Sequence, residues 1–76
     1  MQRRLGKNIQ ARRNRLGYSQ ESFADAIGVH RTYVGSVERG ERNVTLKNLL
    51  LIAEGLKMPL STMIAAAEAD LLLSEQ

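Results

Sequence analysis

The chain has 76 residues, a net charge of +3 at pH 7 and no cysteine. A chain of this length forms one domain with one small core, and it leaves little room for a catalytic cleft with its own supporting residues. Without cysteine, neither a disulfide nor a thiolate metal site can stabilise that core, so association with a second copy is the remaining source of extra stability. We therefore expect a single domain over residues 1–76 that forms a homodimer.

Charge is distributed unevenly along the chain. Residues 1–47 hold ten Lys and Arg residues against four acidic ones, a net charge of +6, whereas residues 48–76 have a net charge of −3. This asymmetry is typical of a protein that binds a polyanion on one side, although the same charges could simply solvate helix surfaces. No apolar run follows the basic N-terminus, and the most apolar stretch, residues 60–73, is shorter than the ~20 residues that span a bilayer. We expect a cytoplasmic protein without a signal peptide or membrane anchor.

Glycine and capping residues divide the chain into five predicted helices, and no segment alternates like a strand, so the predicted fold class is all-α. Gly17 and Gly28 suit the left-handed position that ends a helix, and Ser19 is a favourable N-cap. Pro59 suits a first helical turn, whereas His30 precedes the third helix where Ser or Asp would be a better cap. The predicted helices cover residues 2–16, 20–27, 31–39, 46–55 and 59–73.

Apolar residues recur at helical spacing in the first four segments and predict one core. Its expected members are Leu5, Ile9, Leu16, Phe23, Ala24, Ile27, Val34, Val37, Leu49, Ala53 and Leu56. The fifth segment is apolar on nearly every side, which a domain of this size cannot cover alone. Residues 59–73 are therefore expected to be a dimerisation helix, aided by the fourth helix, unless they form only a frayed alanine-rich tail. The predicted dimer interface contains Leu60, Met63, Ile64, Ala67, Leu71 and Leu72.

Residues 17–40, GYSQESFADAIGVHRTYVGSVERG, carry the most informative pattern. Two short helices are separated by a turn with Gly28, and small Ala24 lets them cross closely. This is the helix-turn-helix pattern, whose second helix can enter the major groove of DNA. The order Ser-Gln-x-x-x-Ala-x-x-x-Gly-Val, followed by Val-Glu-Arg-Gly, resembles the Cro/repressor-type (XRE) helix-turn-helix family over residues 5–64. Within that family, residues 31–33 and the loop 38–43 are most similar to the controller proteins of restriction-modification systems.

The resemblance implies a compact five-helix, lambda-repressor-like domain that binds a specific double-stranded DNA operator and regulates transcription of its own operon. The start of the third helix would read bases, because Arg can grip guanine bidentately and Thr can pair with several base edges. The candidate base-contacting residues are Arg31, Thr32, Tyr33 and Ser36. The candidate phosphate-contacting residues are Gln20, Arg39, Arg42, Asn43, Thr45 and Lys47. The resemblance also implies that Arg13 and Glu38 form an ion pair that supports the architecture.

Two positions leave alternatives open. Gly35 in the third predicted helix permits close approach either to DNA or to the second helix. Arg12 stands where the family usually has an aliphatic residue, and its stem could cover the core while its head group reaches solvent.

No feature of the sequence supports an enzyme. His30 is the only histidine, so neither a metal site nor a catalytic triad is predicted, and no cofactor or small-molecule ligand is expected. RNA polymerase is a further candidate partner for an activator. Alternative functions are a phage-type repressor or an operon-repressing antitoxin and, from a different class, a protein-interaction or RNA-binding helical module. The scarcity of aromatic residues for base stacking weakens the RNA alternative.

Overall fold

The protein consists of five helices joined by short turns. The computed structural model describes the backbone of residues 2–74 and the side chains of residues 2–69. The helices are α1 (Gln2–Arg15), α2 (Gln20–Ile27), α3 (Arg31–Glu38), α4 (Leu46–Gly55) and α5 (Leu60–Ser74). No strand occurs among the residues that the structure describes. The predicted all-α class is confirmed, and every predicted helix end lies within one residue of the observed one.

Side-chain caps explain where three of the helices begin. Ser19 accepts a hydrogen bond from the backbone N–H of Ser22 and forms a capping box at the start of α2. Thr45 accepts from the N–H of Asn48 at the start of α4. His30 caps α3 through its ring, which accepts from the N–H of Thr32. Each cap satisfies one of the backbone donors that the first turn of a helix leaves without an internal partner.

The core lies where the five helices meet. α1 packs against α3 and α5, α2 packs against α3 and α4, and α4 packs against α5. Most of the predicted core residues are buried, whereas Leu16, Ile27 and Leu49 are partly buried at its edge. The buried apolar residues are Leu5, Ile9, Phe23, Ala24, Val34, Val37, Ile52, Ala53, Leu56, Met63 and Ala67.

The backbone of α1 lies directly on the C-terminal end of α3. A Cβ atom added at Gly6 would overlap the carbonyl oxygens of Val37 and Glu38, which cannot rotate away as a side chain can. Arg3 lies about one turn before Gly6 in α1. A Cβ atom added at Gly40, just after α3, would lie 2.8 Å from the Cα of Arg3. These close approaches require glycine, and they fix the end of α3 against the first turns of α1.

The predicted ion pair between Arg13 and Glu38 forms inside the protein. Arg13 Nε lies 2.7 Å from Glu38 Oε2, and Arg13 Nη2 donates to Glu38 Oε1 at 3.0 Å. The two side chains are only 6% and 3% exposed. Arg13 Nη1 also donates to the carbonyl of Tyr18 at 2.8 Å, and Gln20 Nε2 donates to Glu38 Oε1 at 3.0 Å. The network therefore connects α1, the start of α2 and the end of α3.

Two residues predicted at the dimer interface are buried within the protomer instead. Met63 is 2% exposed and Ala67 is 0% exposed, because they lie four residues apart on the face of α5 that packs on the core. Leu60 and Ile64 are only partly buried, whereas Leu71 and Leu72 lie outside the described side chains. Among the described side chains, residues 2–69, the large apolar ones that are most exposed belong to α4. They are Leu46, 66% exposed, and Leu50, 52% exposed.

α4 and α5 meet at a sharp turn. Arg12 Nε donates to the carbonyl of Leu56 at 3.1 Å and so satisfies an acceptor at the end of α4. The head group of Arg12 therefore binds within the fold, where the sequence left open that it reaches solvent.

No single helix among the described residues is long and apolar enough to cross a membrane. α4 and residues 60–69 meet the same test of length and composition only as a pair bent by 100°.

We predict that Arg13 and Glu38 stabilise the fold only as a pair. Replacing one partner alone, as Arg13→Met or Glu38→Leu, should lower the free energy of unfolding by about 3–5 kcal/mol, because a buried charge is left without its counter-ion. The double variant should lose less than either single variant. Urea unfolding followed by circular dichroism measures all three.

The exposed pair Arg39 and Glu41 supplies the matched control for this cycle. Removal of one partner from this pair, as in Glu41→Leu, should leave the unfolding midpoint almost unchanged, because both charges are already exposed to solvent in the folded protein. If the Arg13→Met/Glu38→Leu double variant lost as much free energy of unfolding as the two single variants added together, Arg13 and Glu38 would act independently.

Candidate nucleic-acid interface

Only the first turn of α3 is free to contact a large ligand. Residues 34–38 are all buried, because α1 and α2 both pack against α3. In contrast, Arg31 and Thr32 are exposed and Tyr33 is partly exposed. In helix-turn-helix proteins the N-terminal residues of the second helix are those that contact base edges in the major groove. The structure presents two of the four predicted base-contacting residues in that position.

Arg31 and Thr32 differ in how their side chains are held. The side chain of Arg31 is 65% exposed, and its Nη1 lies 3.6 Å from Glu21 Oε2 on α2. Such an exposed ion pair is weak, so Arg31 can exchange Glu21 for a guanine edge at little cost. Thr32 Oγ1 lies 2.8 Å from Nδ1 of His30, the residue that caps the helix.

Tyr33 connects α3 to α4, and its base contact stays a prediction. Its hydroxyl accepts a hydrogen bond from Asn48 Nδ2 at 3.0 Å. On the ring, the Cζ atom of Arg42 lies 5.5 Å from the centroid, within range of a cation–π interaction. Tyr33 therefore places Arg42 beside α3. Sequence reasoning missed Asn48, whose contact with Tyr33 arises only in the folded chain.

The base contact of Ser36 stays a prediction, and little of this side chain is accessible in the protomer. Ser36 is only 7% exposed, and its hydroxyl donates to the carbonyl of Tyr33 at 2.8 Å. The neighbouring Gly35 is also buried, and a Cβ there would lie 3.1 Å from Arg39 Nη1 and 3.5 Å from Gln20 Oε1. Of the two alternatives for Gly35, the structure favours close packing beside α2.

Most predicted phosphate-contacting residues are exposed near α3. Arg42, Asn43, Thr45 and Lys47 lie on the surface of the α3–α4 connection and the start of α4. Arg39 is exposed too, but its Nε donates to Glu41 Oε2 at 3.0 Å. This hydrogen bond holds the pKa of Glu41 below its ordinary value and raises the pKa of Arg39. Glu41 thus offsets part of the positive charge at Arg39, while the Nη groups of the exposed guanidinium remain available to a phosphate.

Gln20 lies at the first residue of α2, where backbone N–H groups attract an anion. Its side chain is partly buried, and Nε2 donates to Glu38, so the amide takes part in the buried network. Gln20 thus links the predicted phosphate contact to the position of α3. The sequence indicated the first role of Gln20 but not the second.

Comparisons with known proteins identify the family of this chain. The HTH_3 helix-turn-helix family matches residues 9–63. The control protein C.SmaI of Serratia marcescens is 52% identical over 52 residues, which cover 68% of this chain and 62% of that protein. The control protein C.MunI of Mycoplasma sp is 41% identical over 68 residues, which cover 88% of this chain and 92% of that protein.

A solved structure shares the fold. It is that of the restriction-modification controller protein C.Esp1396I, a tetramer in complex with its natural 35 base-pair operator. The TM-score is 0.81 and the sequence identity 30%, over 92% of this chain and 92% of that one. The resemblance seen in the sequence is thus confirmed: the chain belongs to the HTH_3 helix-turn-helix family, and the control proteins C.SmaI and C.MunI are among its relatives.

Proposed function

We propose that this chain is a control protein of a restriction-modification system, which binds a double-stranded DNA operator as a homodimer and regulates transcription of its own operon. The observation that carries the proposal is the exposed first turn of α3, where Arg31 and Thr32 stand on a helix that is otherwise buried. The similarity of this chain to C.SmaI, C.MunI and C.Esp1396I supports the same role. The protein would act in the cytoplasm, without a catalytic step.

The placement of the aromatic side chains favours DNA over single-stranded RNA. Single-stranded nucleic acids are bound by stacking bases on exposed aromatic rings. Phe23 is fully buried, and Tyr18 packs edge-on against it with the ring centroids 5.5 Å apart. Tyr33 is occupied by Asn48 and Arg42. A short helix with a polar first turn fits the major groove of B-form DNA, whereas the narrow major groove of A-form RNA excludes it.

Basic side chains lie near the first turn of α3, the proposed base-reading segment. Arg42 lies against Tyr33, and Lys47 is exposed in the first turn of α4. Contacts of this kind with phosphates fix the register of a helix on the duplex, while Arg31 and Thr32 would supply the sequence preference. In an activator, a surface away from the DNA would contact RNA polymerase.

The dimer surface is proposed to centre on α4. Leu46 and Leu50 are four residues apart on one face of that helix and remain exposed in the protomer. The partly buried Leu60 and Ile64 of α5 would extend this apolar surface. A second copy related by a two-fold axis would cover the same residues on both protomers.

Selection of bound sites from random duplex DNA tests the proposed function. The full chain should enrich a sequence with two half-sites related by a dyad and centred about one helical turn, or roughly 34 Å, apart. This spacing follows because two reading helices must enter successive major grooves on one side of the duplex. Recovery of random sequences, or of direct repeats without a dyad, would contradict the proposal.

Arg31 and Arg42 should fail in different ways when replaced by alanine. Arg31→Ala should weaken operator binding by about 1–3 kcal/mol and relax the base preference at one position per half-site, while binding to scrambled DNA changes less. Arg42→Ala should weaken binding to the operator and to scrambled DNA by similar factors. The slope of log K against log salt concentration should fall in magnitude by about 1 per phosphate contact, hence by about 2 in a dimer. Fluorescence anisotropy over a salt series measures both. An unchanged operator-to-scrambled ratio for Arg31→Ala would remove Arg31 from the reading site.

Leu50→Glu should separate the protomers. A charge placed in the apolar surface of α4 should weaken the dimer at least tenfold, because an unpaired charge would be buried on association. Ala11→Glu, on the exposed face of α1, is the matched control and should leave the association unchanged. Analytical ultracentrifugation at micromolar concentration compares the variants. A wild-type monomer throughout that range, or an intact Leu50→Glu dimer, would contradict the proposed surface.

A further inference from the structure

His30 contacts Thr32 twice through one ring nitrogen. The backbone N–H of Thr32 donates to His30 Nδ1 at 3.1 Å, and the hydroxyl oxygen of Thr32 lies 2.8 Å from the same atom. Because Nδ1 accepts the backbone N–H, it carries no hydrogen, and the proton of the neutral ring is on Nε2. The cap of α3 thus fixes the tautomer of the ring.

The tautomer in turn fixes the hydroxyl of Thr32. Since Nδ1 has no hydrogen to give, its 2.8 Å contact with Thr32 Oγ1 is a hydrogen bond in which the hydroxyl is the donor, and the hydroxyl shares the single lone pair of Nδ1 with the backbone N–H. A threonine hydroxyl has a single hydrogen and two lone pairs. Once the hydrogen is engaged by His30, only lone pairs face an external partner. Thr32 is exposed in the first turn of α3, so those lone pairs are accessible to DNA.

We propose that His30 is a positioning residue that makes Thr32 a hydrogen-bond acceptor and so selects adenine or cytosine over guanine or thymine on the DNA strand that Thr32 faces. The inference rests on the proposed function. In the major groove, adenine N6 and cytosine N4 are donors, whereas guanine O6 and thymine O4 are acceptors. A threonine free to rotate can serve either group of bases, but one tied to His30 can bind only the amino bases.

The test uses the operator recovered by selection and measures the full chain by fluorescence anisotropy. The base pair read by Thr32 is the one whose preference disappears in Thr32→Val, which keeps the shape and the methyl group but has no hydroxyl. Four duplexes that differ only there are then compared for the wild type, His30→Ala, His30→Asn and His30→Ala/Thr32→Val. Loss of the helix cap alone should weaken binding to all four duplexes by the same factor. The ratio of the affinities for the four duplexes therefore isolates the positioning role of His30.

The wild type should bind the duplexes with adenine or cytosine about three- to tenfold more tightly than those with guanine or thymine, as expected for one hydrogen bond. His30→Asn should keep this preference, because its side-chain oxygen accepts at the same position. His30→Ala should reduce the preference to less than about twofold, while in the Thr32→Val background it should change no ratio.

Three results would overturn the inference: a wild-type preference for guanine or thymine, an unchanged ratio in His30→Ala, or no base pair at which Thr32→Val alters the preference. Failure of the proposed function is distinguishable from these results. In that case the selection enriches no sequence, and the inference fails with it. An enriched operator with an unchanged His30→Ala ratio removes only the role of His30.

Discussion

The buried ion pair between Arg13 and Glu38 determines where α3 lies. Each of the two charges is almost fully removed from water and is compensated only by its partner, so a shift of α3 relative to α1 within the folded protein would leave a buried charge without its counter-ion. Gln20 donates to the same carboxylate and adds the start of α2 to the network. The glycine contact at Gly6 brings the α1 backbone against the same end of α3. Polar and steric constraints therefore act at one end of the helix.

This arrangement divides α3 into a fixed half and a free half. Residues 34–38 are buried between α1 and α2, whereas the first turn extends beyond them. A contact surface on a rigid support loses little conformational freedom when it binds, which favours affinity. The contacts of Tyr33 with Arg42 and Asn48 continue the support into α4, so the residues proposed to bind phosphate are positioned by the same framework as the residues proposed to read bases.

The sequence predicts the helices and most of the core because these features depend on local signals. Ser19, Gly17 and Gly28 mark helix ends through hydrogen bonding and backbone conformation, which act within a few residues. The burial of Ser36 does not follow from local signals. Its spacing from Thr32 places it on the same side of a helix, but α1 and α2 together cover everything beyond the first turn.

The fifth helix shows a related limit. Apolar residues on nearly every side give α5 no preferred face, so the sequence could not show that Met63 and Ala67 would pack inward. The contact of Asn48 with Tyr33 spans fifteen residues and depends on the angle between two helices. The ring of His30 serves as a cap at a position where the sequence favoured a shorter polar side chain.

The exposed first turn of α3 also affects how such a protein can evolve. Because Arg31 and Thr32 bury little surface, their replacement costs the folded state little, and with the base-reading role proposed for them a new operator would require no compensating change in the core. A gene duplicate could therefore diverge in its target while its scaffold stays constant. His30 narrows that freedom: because its ring caps the helix and holds the hydroxyl of Thr32, positions 30 and 32 should vary together among related regulators.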